Sequence, residues 1–143
     1  EIKFKEAKEK GYELISYVSS NSTNKSKIPI GENTFIFEDN TIQPFVKIGN
    51  NVILWSGNHI GHHSIIKDHN FISSHVVISG QCKIKSNCFI GVNSTIAHRV
   101  IIEKENIIGA GSVITKNTSK KEVYAPSKTN LISSDSSRIA KFL

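Results

Sequence analysis

The sequence predicts an all-β fold, a parallel β-helix of about five triangular coils, from three features of one repeat. A branched aliphatic residue stands at every sixth position from Ile30 to Ile114 without a gap. A small or β-branched residue precedes most of them by two positions, and a glycine directly follows several. This period fits neither a helix, at about 3.6 residues, nor a lone half-buried strand, at about 2. It fits a short strand and a tight corner, so that three such units close a coil of about 18 residues.

The aliphatic side chains are expected to point inward and to stack into one continuous column. They are Ile30, Ile36, Ile42, Ile48, Leu54, Ile60, Ile66, Ile72, Ile78, Ile84, Ile90, Ile96, Ile102, Ile108 and Ile114. The glycines that follow them are expected to supply unusual backbone angles at corners. These glycines are Gly31, Gly49, Gly61, Gly91 and Gly109.

The aliphatic-glycine repeat resembles that of the hexapeptide-repeat acyltransferases, and the resemblance covers residues 30–129. It implies a left-handed β-helix over residues 28–118. The repeat fails after Lys116, so we expect a tail over residues 119–143, with a short closing helix over 135–142. Residues 3–12 are typical of the end of a helix, 14–18 of a strand and 21–27 of a polar linker. Residues 1–27 therefore resemble the remnant of an N-terminal α/β domain, which binds the nucleotide sugar in related sugar acetyltransferases.

The formal net charge of +6 mildly favours anionic partners such as CoA, nucleotides or nucleic acid, although an ordinary basic surface explains it equally well. No nucleic-acid-binding pattern accompanies it, and no apolar stretch approaches the ~20 residues of a membrane helix. We therefore expect neither nucleic acid nor a membrane as partner. Cys82 and Cys88 fall at inward positions, which predicts buried thiols in a cytoplasmic protein and no metal site.

Five of the six histidines fall between His59 and His75, in a region where residues 18 apart should stack. One corner column reads Pro44, His62, Gly80, His98 and Lys116. A histidine can transfer protons near neutral pH. For any single histidine of the cluster, the alternatives are a solvent-facing corner residue and a metal ligand. Gly80 would let a thioester approach the backbone, and its N–H would stabilise the oxyanion beside His62.

Resemblance also singles out His62. The Ile60-Gly61-His62 segment, with Ser79-Gly80 one coil on, is similar to the motif around the catalytic histidine of bacillosamine- and perosamine-type N-acetyltransferases and of sialic-acid O-acetyltransferases. Segments 88–93 and 108–111 resemble the coils that bind CoA in that family. The chain departs from the family in having His63 where an acidic residue is usual, and Phe71 where some members have a second histidine. His59, His63, Phe71 and His75 are therefore candidate substrate-binding residues.

A neighbouring corner column consists of small side chains and ends in a lysine, and it predicts a floor for the pantetheine arm of CoA. It reads Ser56, Ser74, Val92, Ala110 and Lys128. The candidate cofactor-binding residues are accordingly Gly80, Val92, Ala110, Lys116 and Lys128, with Arg99 nearby for the phosphates. Corners prefer small residues in any case, and the lysines could be ordinary surface charges.

An outward column is apolar throughout, which predicts a partner surface and, by resemblance, a homotrimer. It reads Phe35, Ile53, Phe71, Phe89 and Ile107. The alternative is that the N-terminal segment or the C-terminal helix of the same chain covers it.

Together these observations predict an acetyl-CoA-dependent acetyltransferase, without a metal, that acts on the amino group of a nucleotide-linked amino sugar by direct transfer. His62 is the expected general base, and the resemblance implies a role in polysaccharide biosynthesis. O-acetylation of a sugar of the sialic-acid type is the first alternative. A γ-type carbonic anhydrase would need a third histidine soon after His98, and none follows. A non-catalytic scaffold or ice-binding solenoid would show regular outward ranks of threonine, which this chain lacks.

Overall fold

The computed structural model describes residues 1–127, 129 and 131, and it consists of one short helix followed by seventeen strands of two residues. The helix α1 spans Ile2–Glu9. The strands are β1 Tyr17–Val18, β2 Thr23–Asn24, β3 Phe35–Ile36, β4 Thr41–Ile42, β5 Lys47–Ile48, β6 Ile53–Leu54, β7 His59–Ile60, β8 Ile65–Ile66, β9 Phe71–Ile72, β10 Val77–Ile78, β11 Lys83–Ile84, β12 Phe89–Ile90, β13 Thr95–Ile96, β14 Ile101–Ile102, β15 Ile107–Ile108, β16 Val113–Ile114 and β17 Val123–Tyr124.

The strands form three parallel sheets that are the three sides of a left-handed β-helix. Sheet A has the order β1-β3-β6-β9-β12-β15-β17, sheet B the order β2-β4-β7-β10-β13-β16, and sheet C the order β5-β8-β11-β14. The β-helix has about six coils rather than the five expected, because β1, β2 and β17 extend the stack beyond the regular repeat. β2 lies in the segment 21–27 that was expected to be a linker, and it pairs with β4.

The column of aliphatic side chains forms the core, as the repeat predicted. Its members from Ile36 to Ile108 are almost completely buried, and Cys82 and Cys88 lie among them. Adjacent coils are in register at eighteen residues, as in the pairing of Ile36 with Leu54. Each coil therefore places its aliphatic residues directly on those of the next coil, and the apolar contacts repeat along the whole axis.

Buried asparagines connect the coils at the corner between sheets A and B. The Asn40 and Asn58 side chains donate to the carbonyl of Trp55 at 2.8 Å and 2.6 Å. The Asn58 Oδ1 accepts from the Val76 N–H at 2.8 Å. These bonds satisfy backbone groups that the tight corner leaves without a strand partner.

A residue with left-handed φ recurs at every sixth position from Asn33 to Gly111. The glycines that follow the aliphatic residues are not among them, so the predicted role of those glycines was wrong. Their function is close packing between coils. A Cβ on Gly61, for example, would lie 2.5 Å from the N atom of Gly80 and 2.5 Å from the carbonyl carbon of Ser79.

The last coil is shorter than the others. β17 pairs Val123 with Ile107, sixteen positions earlier, and sheet C has no strand beyond β14 in the described part of the chain. Side chains replace the missing strand: the Asn117 Oδ1 accepts from the Ile101 N–H at 2.9 Å, and the Thr118 Oγ1 accepts from the Glu103 N–H at 2.8 Å. The closing helix expected over 135–142 lies outside the described residues.

Candidate functional site

His62 lies on the corner between sheets B and C, two residues after β7, with its side chain exposed. Its backbone N–H donates to the Gln43 Oε1 at 2.8 Å. Its backbone carbonyl accepts from the Gln81 N–H of the next coil at 2.8 Å. The Nδ1 atoms of His62 and His63 are 3.0 Å apart. The residue is thus held by its backbone on two sides, and its ring has one side-chain partner among the described residues.

The imidazole of His62 lies directly against Gly80. A Cβ built on Gly80 would be 2.7 Å from the Nε2 of His62 and 2.9 Å from its Cε1, so the ring occupies the space that a side chain would need. The backbone N–H of Gly80 donates to no group among the described residues. The backbone N–H of His98, the next residue of the column, has no acceptor among them either. A basic nitrogen therefore lies close to an unpaired backbone donor, which is a combination suited to acyl transfer.

The remaining histidines of the cluster are distributed around the triangle. His63, His69 and His75 have φ values of 59°, 62° and 56°, and histidine is one of the residues enriched in this left-handed conformation. They lie on three different corners, so only His63 contacts His62. His59 points outward from sheet B, between Thr41 and Val77 of the neighbouring coils. Much of the clustering therefore follows from the conformation of the corners.

The column of small residues lies on the corner between sheets A and B. The N–H groups of Ser74, Val92 and Ala110 donate to no group in residues 1–127, 129 and 131. The column consequently presents amide donors one coil apart, about 4.8 Å, along an open edge. Sheet B separates it from the corner of His62, so a single chain does not bring the two together.

The basic candidates for CoA phosphates lie toward the C-terminal end. Lys116 is exposed and lines an open hollow of about 330 Å³ beside Tyr124. Arg99 is also exposed, and its Nε donates to the Gln81 Oε1 at 2.7 Å. Lys128 lies outside the described residues. The eighteen-residue spacing that assigned Lys128 to the column of Ala110 ends before β17, where the register is sixteen.

The apolar column lies on the outer face of sheet A. Phe71, Phe89 and Ile107 are 36%, 42% and 48% exposed, whereas Phe35 and Ile53 are half-buried. Phe71 is therefore on a different face from His62. The rings of Phe71 and Phe89 stack with their centroids 5.6 Å apart. A groove of about 390 Å³ runs along this face.

Both cysteines are buried, and burial raises the pKa of the Cys82 and Cys88 thiols. Neither can present a thiolate to a substrate at the surface. Among the described residues, no group of three or more His, Cys, Asp or Glu side chains is arranged to hold a metal ion. The described part also contains no helix with the length and apolar character of a membrane crossing.

Two neighbours of His62 were not singled out from the sequence. His98 lies two coils on, with its ring centroid 6.3 Å from that of His62. The spacing of the column indicated this proximity, but the role that it suggested for His98 was only that of a metal ligand in the rejected carbonic anhydrase alternative. Gln43 holds the His62 backbone through its side chain, and no sequence signal distinguishes it from other polar corner residues.

Solved structures with the same fold include three proteins of low sequence identity. WeeI from Acinetobacter baumannii AYE has a TM-score of 0.81 and 20% identity, over 85% of this chain and 60% of its own. PerB from Caulobacter crescentus, in complex with CoA and GDP-perosamine, has a TM-score of 0.70 and 18% identity, over 89% and 62%. A mutant of AntD, an N-acyltransferase from Bacillus cereus, in complex with dTDP and coenzyme A, has a TM-score of 0.72 and 18% identity, over 96% and 92%.

The chain thus spans about three fifths of the length of WeeI and of PerB. No curated protein sequence matches it. The family model for the bacterial transferase hexapeptide (six repeats) matches residues 30–62, 46–80 and 81–116. Since these matches cover more than half of the chain and coincide with the β-helix, the protein belongs to the bacterial transferase hexapeptide family.

Proposed function

We propose that this chain is the catalytic part of an acetyl-CoA-dependent acetyltransferase that acts on the amino group of a nucleotide-linked amino sugar. The observation that carries the proposal is the position of the His62 ring, whose Nε2 lies against Gly80, a residue whose backbone N–H has no acceptor in the described part of the chain. The crystallised complex of PerB with CoA and GDP-perosamine, and the description of AntD as an N-acyltransferase, favour this substrate class.

The reaction is a direct transfer within a ternary complex. The neutral sugar amine attacks the thioester carbonyl carbon, so that a C–N bond forms and the carbonyl oxygen becomes an oxyanion. The Gly80 N–H donates to that oxygen, and the Nε2 of His62 accepts a proton from the amine. The C–S bond then breaks, the carbonyl re-forms, and the CoA thiolate takes up the proton that His62 accepted, so that the neutral base is restored. An acyl-cysteine intermediate has no place in this scheme because both thiols are buried.

Acetyl-CoA is proposed to lie along the β-helix in a groove between two subunits of a trimer. The unpaired N–H groups of Val92 and Ala110 would donate to amide oxygens of the pantetheine arm, and Lys116 and Lys128 are the proposed phosphate partners. The exposed side chains of Phe71 and Phe89 favour a subunit contact on sheet A. A second subunit would also place its own column of small residues close to the corner of His62, which the column of the same chain cannot reach across sheet B.

His59, His63 and His75, with Phe71, remain the proposed contacts for the sugar nucleotide. We place the protein in the cytoplasm, where free buried thiols such as Cys82 and Cys88 stay reduced. The enzyme is proposed to act in the synthesis of surface polysaccharides, where it would acetylate an amino sugar that is already attached to its nucleotide.

The test is an acceptor panel with the full-length protein. Nucleotide-linked 3-amino and 4-amino sugars and sialic acid are each incubated with acetyl-CoA, and thiol release is followed while the product is analysed by mass spectrometry. An acetylated amino sugar that resists mild alkali is the expected product, because an amide survives conditions that cleave an ester. An alkali-labile product formed only from sialic acid would instead establish O-acetylation.

A further inference from the structure

We propose that His63 is the residue that positions His62 and sets its tautomer, an inference that rests on the proposed function of His62 as the base. The Nδ1 atoms of the two residues are 3.0 Å apart, and the two rings are nearly perpendicular, at 87°. Two ring nitrogens at this distance form an N–H···N hydrogen bond. His63 is the one side chain among the described residues that bonds to the His62 ring.

This bond requires that only one of the two Nδ1 atoms carries a proton. If His62 donates, its Nε2 keeps a lone pair and can accept the proton of the attacking amine. If His63 donates instead, the proton of neutral His62 is on Nε2, and that atom is no longer a base. The direction of this hydrogen bond therefore decides whether His62 is active.

The surroundings of His62 favour the active direction. Its Nε2 is the ring atom closest to the position that a Cβ on Gly80 would take, at 2.7 Å, and the Gly80 N–H has no acceptor within the described residues. Beside this N–H donor, a lone pair on the Nε2 of His62 is more favourable than a second N–H group would be. His63 consequently acts as the acceptor, and its own proton is on Nε2, toward solvent.

Other contacts hold His63 in the place that this role needs. Its ring packs on Phe45 of the preceding coil, with the centroids 4.6 Å apart and the planes at 35°. Its backbone N–H donates to the Pro44 carbonyl at 3.1 Å, and its φ is 59°. The corner conformation and the Phe45 ring thus orient His63 independently of His62.

The pair also provides a route for the proton. Once the Nε2 of His62 has accepted the proton of the amine, the Nδ1 proton of His62 can pass to the Nδ1 of His63. The positive charge then resides on His63, which is exposed to water. The exchange needs no other group, because one proton enters at Nε2 of His62 and one leaves from its Nδ1.

The tautomer is measured directly by nitrogen NMR of the full-length protein labelled with ¹⁵N-histidine, with His62 assigned from the spectrum of His62→Gln. In the wild type we expect a protonated Nδ1 and an unprotonated Nε2 on His62. In His63→Phe, which keeps an aromatic ring against Phe45 but removes the acceptor, we expect the proton to move to Nε2. In His63→Asn, the asparagine tolerates the left-handed corner and restores an acceptor. We expect this variant to return the His62 proton to Nδ1, as in the wild type.

Turnover is measured on the same variants. His63→Phe should lower kcat by about 10–100-fold, as loss of a residue that orients a working histidine does at metal sites, with little change in the KM for acetyl-CoA. His63→Asn should regain part of the loss. His69→Phe is the matched control, because His69 also has a left-handed φ and an aromatic neighbour, Phe4, but lies on another corner. Its kcat should equal that of the wild type.

An Nε2-protonated His62 in the wild type, or a tautomer that is the same in His63→Phe, would overturn this proposal. The expected spectra together with no turnover of any amino sugar would confirm the histidine pair and overturn the proposed function instead.

Discussion

Replacement of Gly80 by alanine should disable the site while leaving the fold intact. The added methyl carbon would lie 2.7 Å from the Nε2 of His62, 2.9 Å from its Cε1 and 3.1 Å from its Cδ2, where ordinary contact is 3.4–4 Å. The imidazole must therefore move by about 1 Å, a displacement that can lower the rate about 10²-fold when it affects a reacting group. We expect this loss in kcat, measured by thiol release at saturating acetyl-CoA.

The melting temperature of Gly80→Ala should not fall. The ring of His62 is exposed and can swing into solvent, and the φ of Gly80 is outside the left-handed region. A compatible glycine-to-alanine change stabilises a protein by about 0.4–1 kcal/mol through the unfolded chain.

Gly61→Ala is the contrasting variant. Its methyl carbon would lie 2.5 Å from backbone atoms of Gly80 and Ser79, which cannot move without shifting a coil. We expect it to lose about 1–3 kcal/mol of stability. A wild-type kcat in Gly80→Ala, or a loss of melting temperature as large as that of Gly61→Ala, would refute the reasoning about the ring.

Three further outcomes are expected. Phe89→Asp, which places a charge on the exposed apolar face of sheet A, should convert a trimer to monomers in light scattering, and an unchanged mass would argue against a subunit contact there. Asn58→Leu should lower the free energy of unfolding by about 1–3 kcal/mol in urea titrations, because it leaves the buried Val76 N–H without its acceptor and removes one of the two amide donors to the Trp55 carbonyl. Burial raises the pKa of the Cys82 and Cys88 thiols, so little thiolate forms near neutral pH and the native protein should not react with DTNB until it is unfolded. Rapid labelling of the native state would contradict that burial.

The repeat predicted the core and the sheets because burial in a solenoid depends on spacing alone. Every aliphatic position from Ile36 to Ile108 is inward, as expected. The ends of the β-helix could not be predicted in this way. β2 has the sequence Thr-Asn and pairs only through its backbone, so no hydrophobic pattern marks it. The shortened last coil depends on the side chains of Asn117 and Thr118, which replace strand bonds without any change in composition.

The candidate site was partly predictable for the same reason. Stacking at eighteen residues brought His62 over Gly80 and near His98, and the structure has this arrangement. The partner of the His62 ring depends on rotamers and on the left-handed φ of His63, which spacing does not reveal. Spacing gives no position for Lys128, which lies outside the described residues, since the register is sixteen rather than eighteen at β17.

The most direct test of the central claim compares the wild type with His62→Asn on the amino sugar that gives turnover. The base is removed while a polar side chain remains, so CoA binding, measured by calorimetry, should be nearly unchanged. We expect kcat to fall by about 10²–10⁴-fold, the usual contribution of a positioned base. A kcat close to that of the wild type would show that His62 is not the base, and would contradict the account of this site.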